Sequence, residues 1–102
     1  MSFIAAFFVG AFLCNAIPHV SAGLRGEAFP SPFSKPRGKG PSSPLVNFLW
    51  GFLNALVGLV LIFYHPLRPG ANIDSAALLA GVLAMGVITS VHFGRVRRAG
   101  LF

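Results

Sequence analysis

The sequence predicts an all-α integral membrane protein: three transmembrane helices, at about 3–20, 45–64 and 75–93, with a long Pro/Gly-rich cytoplasmic loop between the first two. Three observations carry this. Apolar residues make up 55% of the 102, charged residues only 10%, and mean hydropathy is +0.76. A soluble domain carries about 25% charged residues. The apolar residues also fall into three runs of about bilayer length, separated by proline and glycine. Finally, the basic residues gather at the ends of those runs, where lipid headgroups lie. The whole chain makes one domain, with no length for a second.

The first run, Phe3 to Val20, is broken only by Asn15, Pro18 and His19. No Lys or Arg precedes it, and Leu13 before Cys14 does not suit a lipid-attachment site, so an uncleaved helix is expected rather than a signal peptide. Ala6, Gly10 and Cys14 form a small-residue stripe that lets another helix approach closely. Pro18 is expected to end or kink the helix.

Residues 21–44 change character, with five prolines and four glycines in twenty-four positions. Extended, polyproline-like backbone is expected there, without a sheet. Arg25, Lys35, Arg37 and Lys39 face a single acid, Glu27, which suits a local pair with Arg25 or a loop lysine. Phe29 and Phe33 sit between prolines. The expectation is a loop folded along the membrane face, both rings inserted and Lys35, Arg37 and Lys39 near lipid phosphates.

The second run, LVNFLWGFLNALVGLVLIFY from Leu45 to Tyr64, is the element around which the others are expected to pack. Asn47, Gly51, Asn54 and Gly58 recur at steps of four, three and four, one face of a helix, with Phe48, Phe52 and Leu59 opposite. A short connection through Pro66, Pro69 and Gly70 predicts that helices two and three are antiparallel neighbours. Asp74 or Ser75 is the expected N-cap of the third helix, whose Ala77, Gly81, Ala84 and Gly86 again favour close contact. Arg95, Arg97 and Arg98 close the span and contact lipid.

Seven of the eight basic residues lie in the long loop and C-terminal tail, and only Arg68 lies on the opposite side. The positive-inside rule then puts loop and C-terminus in the cytoplasm and the N-terminus outside. A net charge of +6 is therefore assigned to anionic headgroups and orientation, not to nucleic acid.

This topology brings Asn15, His19, Asn47, Asn54, Thr89, Ser90 and His92 to a common depth. Polar side chains there face the bundle, because unpaired polar groups in hydrocarbon cost several kcal/mol. As structural glue they would tie helices together. As a site, His19 and His92 would be the cofactor-binding residues, in principle two axial ligands to haem. No metal-ligand spacing joins the three histidines and Cys14, and Glu27 and Asp74 lie on opposite sides of the membrane, so neither a metal centre nor an enzyme is expected. Trp50 is expected in an interfacial or packing role rather than a cofactor contact, and His65, with Tyr64, as an interfacial anchor.

NAIPH at residues 15–19 and RGEAFPSPFSKPRGKGPSSPLVNFLWGFLNALVG from Arg25 to Gly58 resemble a group of small uncharacterised bacterial inner-membrane proteins. That group shares a P-H near the end of helix one, a PF-K-P-G-G-SSP loop and an N-WG-N helix. The resemblance implies a bacterial inner membrane and brings no activity. The function expected first is an accessory or self-associating membrane protein. The alternative is a small ligand-, quinone- or haem-binding or transport module built on the Asn/His cluster.

Overall fold

The computed structural model describes residues 2–102 and is an all-α bundle of three membrane-length helices: α1 (Ser2–Leu24), α2 (Pro44–Tyr64) and α3 (Ile73–Arg98). The long loop adds two short antiparallel strands, β1 (Phe29–Pro30) and β2 (Pro41–Ser42), where none was expected. They close the loop into a hairpin whose ends meet over the bundle.

Each helix terminus has an identifiable cause. α1 runs through Pro18 to Leu24, six residues past that proline, so Pro18 is not the terminator the sequence suggested. Its missing N–H removes one bond, to the Cys14 carbonyl, while His19 and Ala22 beyond it are buried and hold the next turn in place. The stop is Gly26, with φ of +69°: its N–H bonds to the Gly23 carbonyl and that of Glu27 to the Ala22 carbonyl. α2 starts from an N-cap at Ser43, which accepts from the Val46 N–H at 3.1 Å, with Pro44 in the first turn. α3 is capped by Asn72 rather than Asp74 or Ser75, its Oδ1 accepting from the N–H groups of both at 3.0 and 3.2 Å. Asp74 sits instead in the first turn, buried, with its carboxylate 3.3 Å from Arg68 Nε. At the far end α3 continues five residues beyond 93. Arg95, Arg97 and Arg98 form its last turn, where cations face the negative end of the helix dipole.

The packing order differs from expectation. α1 is the central helix; α2 and α3 each lie along it and scarcely touch one another. The short connection makes α2 and α3 run in opposite directions but not pack together. Small residues on α1 explain this. Ala5, Ala6, Val9, Ala11, Ala16 and Ala22 are all buried, so both neighbours come in close. A methyl group on Gly81 would overlap the Phe7 carbonyl oxygen, and one on Gly10 the Leu78 carbonyl oxygen. Against α2, the Asn47/Gly51/Asn54/Gly58 stripe is the buried face, as its spacing predicted. Outward faces carry Phe52, Leu59 and Phe63 on α2 and Leu79, Leu83 and Ile88 on α3, all exposed and suited to lipid. Phe48 is half-buried against Gly23 rather than fully on that lipid side.

The chain connectivity puts the C-terminal ends of α1 and α3 and the N-terminal end of α2 at one end of the bundle, beneath the long loop. The site lies there.

Candidate functional site

Asn47, with no exposed surface, organises the loop end. Its Nδ2 faces three carbonyls, those of Phe29 at 2.7 Å and of Ser42 and Ser43 at 3.2 Å. Only an amino group can do this, so the amide orientation is fixed and Oδ1 points at His19 Nδ1, 2.8 Å away. His19 Nδ1 is therefore the donor. In the neutral ring the other nitrogen, Nε2, carries the lone pair, and it has no hydrogen-bond partner among the described residues.

The same logic runs one layer deeper. Asn54 Nδ2 donates to the Trp50 carbonyl at 2.8 Å, so Asn54 Oδ1 accepts, and it accepts from Asn15 Nδ2 at 3.0 Å. That leaves Asn15 Oδ1 uncommitted. No fully buried side-chain nitrogen or oxygen among the described residues lacks a partner, so His19 Nε2 and Asn15 Oδ1 keep open surface. Both residues line a cavity of about 190 Å³, together with Trp50, His92, Phe93 and the loop residues Pro30, Ser31, Pro32 and Gly38. The Trp50 indole N–H is likewise without a partner among the described residues. The cavity is thus lined by residues that carry two uncommitted acceptors and one uncommitted donor, with aromatic walls.

The loop is its roof. His92 Nε2 donates to the Gly38 carbonyl at 2.6 Å, joining α3 to the loop. Phe29 wedges among His19, Phe93 and Phe102, with ring centroids 5.5, 4.6 and 5.2 Å away. Inside the loop, Ser34 Oγ donates to the Ser31 carbonyl at 2.6 Å, and Ser31 and Ser42 hydroxyls meet at 2.6 Å across the hairpin. Ser31 and Ser34 are buried. The segment is folded across the helix ends and not a tether.

The expected polar cluster is therefore partly assembled. Asn15, His19, Asn47, Asn54 and His92 converge on the cavity or its roof. Thr89 and Ser90 do not join them: their hydroxyls donate back to Met85 and Val87 carbonyls of their own helix, and both line a separate groove beside Cys14 and Arg25. Of the two loop rings, Phe29 is inserted, whereas Phe33 is 66% exposed and lies against Trp50 at 5.6 Å. Lys35, Arg37, Lys39, Arg95, Arg97 and Arg98 line no part of the cavity. Arg25 and Glu27 form the expected pair at 2.7 Å; the hydrogen bond from Arg25, with its charge, holds the Glu27 carboxyl below its usual range.

Trp50 and Phe93 are site residues that sequence reasoning missed. Trp50 had a signal: it lies three residues after Asn47 and four before Asn54, on the same face of α2. Phe93, next to His92, had none beyond that neighbour. Among the described residues no group of three or more His, Cys, Asp or Glu side chains is placed to hold a metal ion.

No family model, curated protein or solved structure matches the chain.

Proposed function

We propose that this small three-helix membrane protein binds a small neutral ligand in the cavity at its loop end, the ligand donating hydrogen bonds to His19 Nε2 and Asn15 Oδ1. The observation that carries this is the pair of orientation chains just described. Asn47 and Asn54 are each held by backbone carbonyls, and each spends its oxygen on fixing which atom of a cavity-lining neighbour stays an acceptor. Glue would need the direct pairs only. Benzene fits a cavity of about 150 Å³, so about 190 Å³ accommodates one substituted six-membered ring between Trp50 and Phe93.

The first-expected role, an accessory or self-associating protein, is less well supported. The small residues that suggested it are spent within the monomer: Gly10 and Gly81 between α1 and α3, Gly51 and Gly58 between α1 and α2. Haem between His19 and His92 also fits poorly. Ordinary cofactor pockets run from about 300 to 1,000 Å³, and this cavity holds about 190 Å³. The resemblance and the charge asymmetry support a bacterial inner membrane, with loop and C-terminus cytoplasmic. The ligand site then lies in the cytoplasmic leaflet. The role is binding rather than catalysis.

Trp50 is the chain's one tryptophan and lines the cavity, so its emission reports occupancy. Titrating the detergent-solubilised protein with hydroquinone, a ring bearing two hydroxyl donors, should give a saturable change that Asn15→Leu and His19→Phe abolish. An unsaturable response, or one equal in these variants while they stay helical, would overturn the proposal.

A further inference from the structure

Five residues of α1 form one stripe: Ile4, Phe8, Phe12, Asn15 and His19, at steps of four, four, three and four. Its loop-end members, Asn15 and His19, line the polar cavity. The other three line a second, apolar cavity of about 440 Å³, together with Ala5 of α1 and Val57, Leu61 and His65 of and after α2. The two cavities thus follow one another along a single face of the central helix. From residue 4 to residue 15 that face is about 17 Å long, at about 1.5 Å per residue.

Two features make this more than lipid-facing surface. α2 and α3 do not close over this stripe, since both pack on α1 and scarcely meet, and the groove is open beside Phe8, which is 48% exposed. The polar end is roofed, while the apolar end lies at the depth of hydrocarbon. A headgroup that entered from the roof would meet the folded loop. One that entered from the bilayer, trailing its tail, would slide along the stripe.

We infer that the ligand is an amphiphile with one apolar tail, its small, uncharged, hydroxyl-bearing head in the Asn15/His19/Trp50 cavity and its tail along Ile4, Phe8 and Phe12 against Val57 and Leu61. The inference rests on the proposed ligand site and adds the tail. Head size follows from the polar cavity. Neutrality follows from the lack of any acid or base but the two histidines on its walls, and the hydroxyl from its two free acceptors. Two sources share this chemistry, a tailed hydroquinone and a long-chain alcohol.

The test uses the full chain in detergent and three probes: hydroquinone, decylhydroquinone and decanol. A double variant, Val57→Phe with Leu61→Phe, narrows the groove without adding a tryptophan. Trp50 emission reads the hydroquinones directly and decanol by competition. The expected result is that decylhydroquinone binds at least about tenfold tighter than hydroquinone, and that the double variant removes this advantage while leaving hydroquinone affinity unchanged. Displacement by decanol as strong as by decylhydroquinone assigns the hydroxyl alone; none assigns the aromatic ring as part of the head. If hydroquinone fails to bind the native chain, the site itself is refuted. If hydroquinone binds but the tail adds nothing, or adds as much in the double variant, the site stands and the tail groove is refuted. Circular dichroism reports whether the double substitution disturbs the helices, and the single Val57→Phe variant, milder in volume, must move the tail advantage in the same direction.

Discussion

Replacing Asn47 with alanine should release the loop and leave the helices in place. The Asn47 amide holds both ends of the hairpin, through the Phe29 carbonyl on one side and those of Ser42 and Ser43 on the other. It also satisfies His19 Nδ1. Alanine removes the two amino hydrogens shared among three carbonyls; the His19 bond it also removes joins α1 to α2 and does not depend on loop closure. At about 1 kcal/mol net for each amino hydrogen, the loop-closed state loses about 2 kcal/mol. That is roughly thirtyfold in the open fraction. Trypsin reads this directly, because Arg37 and Lys39, each followed by glycine, lie in the segment. In detergent, where opening is fast relative to cleavage, the cut rate follows the open population. Asn47→Ala should therefore be cut about thirtyfold faster than the native chain, with unchanged helix content. Cleavage within about threefold of native would refute the claim that this amide closes the loop.

Further substitutions test other parts of the argument. Gly81→Ala forces α3 off the Phe7 carbonyl and should cost about 1–3 kcal/mol of bundle stability in a detergent denaturation series, whereas Gly86→Ala, whose new methyl would meet only Cys14 Sγ at 3.8 Å, should be nearly neutral. Phe29→Ser should speed trypsin cleavage of the loop markedly, through loss of three ring contacts, while Phe33→Ser, already exposed, should change it little. The Arg25–Glu27 pair stabilises the loop's start above the ordinary glutamate range and loses that contribution as pH falls through the depressed Glu27 value; Glu27→Gln should remove this acid-side dependence of cleavage and raise the neutral-pH rate by the same small factor, small because both side chains are over half exposed.

Much of the fold was legible because the bilayer restricts what a chain can do. Long apolar runs must be helices, and a four-three-four recurrence of Asn and Gly must mark a buried face. Those inferences hold for α2, whose buried residues are the four of its stripe. The errors came where local signals compete with packing. Pro18 is a strong helix breaker in isolation, but it costs one hydrogen bond, and buried His19 and Ala22 beyond it outweigh that cost. Asp74 and Asn72 are both good caps. Asn72 takes the position because Asp74, in the first turn, reaches Arg68.

The identity of the central helix could not be read from composition, and the reason bears on the site. α2 has the highest mean hydropathy of the three spans and looks like a hub, but hydrophobicity measures suitability for lipid as much as for protein. What makes a helix central in a membrane is smallness on two faces, and α1 has it: Ala6, Val9 and Gly10 near its start, Ala16 and Ala22 further along. A helix that packs on two sides also presents a third. On α1 that third face is where Asn15 and His19 stand, at the loop end of Phe8 and Phe12. The sequence showed polar residues at a common depth, yet depth alone makes seven candidates equivalent. Orientation separates them, because Thr89 and Ser90 hydroxyls can bond to their own helix carbonyls, whereas an imidazole at His19 cannot do so with both nitrogens. Hence the loop's carbonyls fix Asn47, Asn47 fixes His19, and a Pro/Gly-rich segment that carries no catalytic group decides which way the buried imidazole of the site points.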